Sequence, residues 1–176
     1  VWGIRGDLIF GRSFHVYGID VGVSGWILSD MVGIEATGFN LIYGEVTGGQ
    51  LGLVANAVRG DVVGAQLSAG VNWDRGAFTG AQLGLLNIDG IFYGAQLGAL
   101  NWNSGVSYGW QGGISNVNGT EYFGASLGVV NITGRMHGVQ LGVVNEIEQI
   151  GDGLQVGLIN GAKDFTGVQI GLFNII

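Results

Sequence analysis

At 176 residues the chain has the size of one ordinary domain, and with 37 Gly, no Pro and no Cys it excludes disulfides, thiolate metal sites and a Pro-rich disordered linker. Only 11% of residues are charged and the formal net charge is -7, which excludes a nucleic-acid binder, since that function needs a basic face. No apolar run approaches the roughly 18 residues of a membrane-crossing helix.

From the N-terminus onward one pattern recurs. A central slot is held in turn by Arg5, Asp20, Glu35, Gln50, Gln66, Gln82, Gln96, Gln111, Ser126, Gln140, Gln155 and Gln169. These twelve units, 14 to 16 residues apart, make residues 1–176 a single repeat-built domain. Gly stands two residues before the slot in every unit, and two after it in all but three, where Asp7, Thr37 and Ser68 replace it. The positions one before, one after and three after are apolar or Gly throughout, as in Leu83 and Leu85, Leu97, Leu127 and Val129, Leu141 and Val143, and Ile170 and Leu172. Alternation with period two predicts β-strands with one apolar face and one Gly/polar face.

Two architectures absorb such a repeat: an antiparallel meander closed into a barrel, or a β-solenoid with coils of about 15 residues. The connections favour hairpins. Asn118-Gly119 is a two-residue type I′ turn signal, and Ile88-Asp89-Gly90 and Ile132-Thr133-Gly134 each place Gly third, as a three-residue hairpin with a bulge requires. Gly161-Ala162-Lys163 does not fit. A stretch of about nine to eleven alternating residues also matches a tilted membrane strand. In a coil it leaves too few residues for the return, unless the strand bends sharply at its glycines.

Most charges fall in or beside the connections, and Trp26, Trp73, Trp102, Tyr93, Tyr108 and Phe123 fall near predicted strand ends. Charged rims, aromatic belts and a dry apolar band predict an all-β fold, an antiparallel up-and-down transmembrane β-barrel of about 12 strands. Its lipid face would carry Leu83, Leu85, Leu97, Leu127, Val129, Leu141, Val143, Ile170 and Leu172. Its lumen would be lined by Arg5, Asp7, Asp20, Glu35 and the Gln/Ser row from Gln50 to Gln169. One rim, holding Arg59 against Asp30, Asp61, Asp89, Glu121, Glu146, Glu148 and Asp152, would be strongly acidic. The residue four after the slot resists this scheme. It should face the lumen, yet it is often apolar (Val54, Leu86, Leu100, Val130, Phe173), as the corner of a solenoid would be.

Gly138-Val139-Gln140-Leu141-Gly142-Val143-Val144-Asn145 and Gly167-Val168-Gln169-Ile170-Gly171-Leu172-Phe173-Asn174 resemble a family of bacterial surface-repeat proteins built from tandem Gly-[Leu/Val]-Gln-[Leu/Ile]-Gly-Leu-x-Asn units. Arg5-Gly6-Asp7-Leu8-Ile9-Phe10-Gly11 and Val16-Tyr17-Gly18-Ile19-Asp20-Val21-Gly22 look like the N-terminal part of that family. The resemblance implies an envelope or surface location and carries over no functional residue.

Arg5, Asp20 and Glu35 in successive units suggest either an ion-selecting or acid/base cluster, or an ion network bracing a polar interior; the second is preferred, because buried carboxylates are usually paired. The Gln row is either a hydrogen-bonding filter for small polar solutes or a ladder of amides satisfying one another, again with the second preferred. His15 and His137 stand apart with no ligand spacing around them, and no nucleophile has a His/Asp partnership. Asn118-Gly119-Thr120 and Asn131-Ile132-Thr133 match the glycosylation sequon but read as turns. The expectation is a non-enzymatic protein without cofactor or metal and with the lipid bilayer as partner. It acts as a narrow passive pore or structural component of the bacterial outer membrane, or alternatively as a cell-surface β-solenoid for adhesion, self-assembly or ice binding.

Overall fold

The computed structural model describes residues 2–176, and every strand pairing among them is parallel. The chain is a β-solenoid of about twelve coils, one per repeat, and it divides into two compact units, Val1–Gly90 and Ile91–Ile176. The first unit contains β1 (Trp2–Asp7), β2 (Gly11–Ser13), β3 (Val16–Gly22), β4 (Ser24–Ile27), β5 (Met31–Ile42), β6 (Val46–Val58), β7 (Val62–Ser68) and β8 (Val71–Leu83). The division falls within β9 (Leu86–Asn103), and β10 (Ser107–Leu141), β11 (Val144–Val156), β12 (Ile159–Ile170) and β13 (Phe173–Ile175) belong to the second unit. Long strands such as β10 run through corners and so serve more than one coil.

Register is set by the slot. In the first unit Arg5, Asp20, Glu35, Gln50, Gln66 and Gln82 pair one with the next. In the second, Gln96 pairs with Gln111, and Gln140 with Gln155 and then Gln169. The glycine two residues before the slot has a positive φ in every unit, from 108° to 152°, and no other described residue does. This backbone region is essentially closed to side chains. Stacking adds a second constraint: a Cβ at Gly33, Gly48 or Gly64 would overlap the carbonyl oxygen of the same glycine one coil earlier. Invariant Gly at this step is therefore a condition for parallel coils to lie directly on one another.

Each coil turns its slot residue inward, joined from the third coil onward by an Asn five or six residues later, together with one mostly apolar position and one that is apolar in some coils and polar in others (Asp74, Asp89, Asn103, Asn118, Thr133). Val16, Met31, Val46, Val62 and Phe78 form one buried apolar row of the first unit, and Ile27, Ile42 and Val58 another. In the second unit Tyr122, Met136, Ile147 and Ala162 form the buried cluster, with Phe165 packed against it.

The antiparallel transmembrane barrel is overturned by this pairing, and its turns fail for a definite reason. A type I′ turn needs positive φ at both central residues, but neither Asn118 nor Gly119 has one, and Asn118 is buried inside the coil. Gly90 and Gly134 likewise lack the left-handed conformation of a bulged hairpin. Asp89 and Thr133, read as loop tips, are interior residues. The sharp bends needed to close a 15-residue coil are present, and Gly supplies them. With no barrel there are no rims and no membrane belts. Tyr93, Tyr108 and Phe123 instead stack ring on ring between successive coils, at 5.0 and 4.8 Å.

Candidate functional site: two interior amide spines and an exposed apolar face

The residues expected to line a lumen do face inward, but into a filled interior. Asp20, Glu35 and the row from Gln50 to Gln155 are buried, and Arg5, Asp7 and Gln169 are half-buried. Within each unit the Gln row is an amide ladder in which, where Gln follows Gln, the Nε2 donates to the Oε1 of the preceding coil. Gln66 donates to Gln50 at 2.8 Å and Gln82 to Gln66 at 2.9 Å, while in the second unit Gln111 donates to Gln96 at 2.8 Å and Gln155 to Gln140 at 2.9 Å. Ser126 interrupts the row. Its hydroxyl turns to Asn131 at 2.7 Å, and the Nε2 of Gln140 turns to the Thr133 hydroxyl at 2.9 Å.

A second ladder was not singled out from the sequence, although its signal, the Asn closing each Gly-Leu-x-Asn unit, was visible. Asn56 donates to Asn72 and Asn72 to Asn87, both at 2.8 Å; in the second unit Asn101, Asn116, Asn131, Asn145, Asn160 and Asn174 continue in the same way. Each Nδ2 has a second task. That of Asn56 also reaches the Leu67 carbonyl at 2.9 Å, and that of Asn116 the Leu127 carbonyl at 3.1 Å. The carbonyl lies at the corner, where the sheet ladder breaks, so the side chain satisfies a backbone group that would otherwise be buried and unpaired. This bond also fixes which end of the amide carries the nitrogen. The Asn spine donates toward the following coil and the Gln spine toward the preceding one, so within each unit the two chains of amide dipoles run in opposite directions.

The charged slot residues form a structural network. Arg5 grips Asp20 through Nε, 2.9 Å from Oδ1, and through Nη2; Asp7 Oδ2 lies 2.9 Å from the same Nε. Glu35 stands outside this pair. Gln50 donates to it at 3.2 Å, and burial pushes its carboxyl up to about 7, the nearby Asp20 adding to the rise and the Gln50 hydrogen bond and Arg5 opposing it. A second buried carboxyl, Asp74, accepts from Gln66 at 2.9 Å and from Gln82 at 2.7 Å and is hydrogen-bonded to Asp89; burial again raises it to about 7 against these hydrogen bonds. Neither group opens to solvent, so neither can exchange a proton with a substrate. Among the described residues no three metal-capable side chains gather at one place, and His137 pairs its Nδ1 with Asp152 Oδ2 at 2.5 Å.

The positions expected to meet lipid lie on the outside of the coils. Leu83, Leu85, Leu97, Leu127, Val129, Leu141, Val143, Ile170 and Leu172 are all exposed. They form two rows, one on each side of the corner glycines. In the first unit these rows flank a groove of about 620 Å³ lined by Ala36, Leu51, Leu53, Leu67, Ala69 and Leu83 among others, with Leu53 72% exposed. No family model, no curated protein and no solved structure matches the chain.

Proposed function

We propose that this is a non-enzymatic cell-surface scaffold whose solenoid associates side by side with a second copy of the same chain through the paired apolar rows. The observation that carries this reading is the face itself: in-register aliphatic side chains, uncharged, half or more exposed at Leu51, Leu53 and Leu85, on a chain whose polar amides are turned inward. Apolar patches of this extent on a folded protein mark interaction sites.

The partner follows from periodicity. The rows repeat at the coil rise, about 4.8 Å, and a second copy has the same rise. The ridge of one can therefore rest in the groove of the other across several coils without losing step. A surface of clearly different period falls out of register within a few coils, and a face without charge offers nothing to select a polar ligand.

Sedimentation velocity in detergent-free buffer over a range of concentrations tests this. The expected outcome is reversible association that Leu53→Asp with Leu85→Asp abolishes while the circular dichroism of the fold is retained. A chain that is monomeric at every concentration, or one that needs detergent to stay in solution, overturns it. Surface location belongs to the same proposal, and protease accessibility on intact cells reports on it.

A further inference from the structure

The chain has six cationic side chains, and three of them meet on one face of the first unit. Arg12 lies over the Trp26 ring at 5.6 Å, Trp26 stacks on Tyr43 at 6.0 Å, and Arg59 lies over the other partner of that stack, Tyr43, at 4.1 Å. Arg75 lies over Trp73 at 5.3 Å. All three arginines are exposed, and among the described residues none of them is in an ion pair. Elsewhere Arg5 is paired with Asp7 and Asp20, and Arg135 lies beside Glu121.

Arg59 and Arg75 are also neighbours. Val58 pairs with Asp74 in register, so the two arginines follow that pair at the same step on adjacent coils, about 4.8 Å apart at the backbone. Like charges directly opposite one another destabilise a sheet, and a net charge of -7 supplied ample acid to pair them. Two of the carboxylates on the turn beside them are engaged with backbone: Asp30 accepts from the Glu45 amide at 3.0 Å and Asp61 from the Ala77 amide at 2.8 Å. An oxyanion placed between two guanidinium groups removes their repulsion and accepts from both. Stacking on the rings has already restricted the arginines, so little side-chain freedom is left to lose on binding.

We propose that this face binds an acidic polysaccharide, with a sulfate or carboxylate group of the sugar held between Arg59 and Arg75. A polymer fits better than a free ion because Arg12, three coils away and so roughly 14 Å along the axis, offers a second anion contact on the neighbouring column, the one that holds Trp26 and Trp73 in register. Sparse charge fits better than dense charge: Asp30, Glu45 and Asp61 run beside the arginines and repel a nucleic-acid duplex, with one charge per about 1.7 Å of axis, more than a sugar chain with one anionic group per one or two residues. The half-buried rings of Trp26 and Trp73 supply apolar surface beside the arginines against which a sugar ring packs. The site lies on a different face from the aliphatic rows and does not depend on self-association.

Calorimetric titration of the whole chain with a κ-carrageenan-derived hexasaccharide (one sulfate and no carboxylate per disaccharide), a polygalacturonate oligomer (carboxylate only) and neutral dextran tests the assignment and separates sulfate from carboxylate. The expected result is binding of at least one acidic oligosaccharide, weakened by salt, with no binding of dextran. Arg59→Gln with Arg75→Gln lowers affinity at least about tenfold. Arg59→Lys with Arg75→Lys keeps the charge but loses the planar fork, lowers it by a smaller factor and guards against misfolding of the first variant. Arg135→Gln leaves binding unchanged. Failure of both acidic oligosaccharides to bind, equal binding by wild type and the two double variants, or binding only to anionic vesicles or nucleic acid would each overturn the proposal.

Discussion

The indole of Trp110 lies over Gly112: a Cβ on that glycine would stand 2.5 Å from the ring carbon Cη2. Gly112 occupies the row that Leu97 and Leu127 hold on other coils of the second unit, and Trp110 the row that Ala95 and Ala125 hold. One large residue and one missing side chain therefore compensate each other, and the indole covers the gap in the aliphatic row. Gly112→Leu restores the repeat consensus yet is expected to destabilise the protein by about 1–3 kcal/mol, as overpacking does. The displaced Trp110 is expected to move into water, read as a red shift and stronger quenching of tryptophan fluorescence against a Trp110→Phe reference.

Two adjacent glycines separate conformational need from composition. Gly48 has φ of 135°, and its Cβ would overlap the Gly33 carbonyl, whereas Gly49 has open space around it and an ordinary φ. Gly48→Ala is expected to cost at least about 2 kcal/mol, and Gly49→Ala to be neutral or stabilising by up to about 1 kcal/mol. Urea denaturation of both variants checks the pair, and equal effects would contradict the stacking argument.

Asn56 sits at the junction of three bonds. It accepts from Asn40 at 2.5 Å and donates to Asn72 at 2.8 Å and to the Leu67 carbonyl at 2.9 Å. Asn56→Leu leaves all three partners buried without it, and stranded polar groups cost about 1–3 kcal/mol each. The expected loss of several kcal/mol should far exceed that of Leu53→Ala on the exposed face. Hydrogen exchange should show the Leu67 corner opening first.

The buried carboxyls set a pH dependence opposite in sign to ordinary acid unfolding. Glu35 and Asp74 have folded pKa values raised by burial to about 7, above the unfolded range near 4. Between those limits the folded state holds more protons than the unfolded state, so stability falls as pH rises. The stabilisation is fully present below about pH 4 and is lost by about pH 7. Glu35→Gln and Asp74→Asn are each expected to flatten the slope of unfolding free energy over this window and to raise stability at pH 7, by on the order of a few kcal/mol. Thermal midpoints measured at pH 4, 5.5 and 7 distinguish the variants from wild type.

Much of this architecture was legible in the alternation. The twelve slots, the inward polar face and the outward Leu and Val rows all follow from period two, which does not depend on whether strands pair parallel or antiparallel. Pairing direction was not legible from turn chemistry. Asn118-Gly119 carries the strongest hairpin signal in the chain, but there Asn is an interior rung whose Oδ1 accepts from Asn103 at 3.1 Å, and a ladder of identical amides uses the same residue type as a turn. Asp89-Gly90 misleads in the same way, since a buried acid beside a small residue has the composition of a loop tip. The apolar residues four after the slot, Val54 and Leu86 among them, did carry the missing information, because only a corner places consecutive apolar side chains on the outside. The Arg12, Arg59 and Arg75 face could not be read from spacing alone, since it needs coil register to bring residues 12, 26, 43, 59 and 75 together.

The overlap of the left-handed glycines, two residues before the slot, with the carbonyl of the same glycine one coil earlier makes length a free variable and phase a fixed one. A deletion of one whole repeat, such as residues 50–65, leaves glycine above glycine at the step two before the slot, puts Gln66 above Glu35 as Gln50 was and Asn72 above Asn40, and shortens its unit by about 4.8 Å. Removing half a repeat places side chains over carbonyls along the whole stack. Genetic drift in such a gene should therefore proceed by gain and loss of entire repeats. Spacings of 14, 15 and 16 are tolerated only because the extra residue is taken up between the fixed rungs.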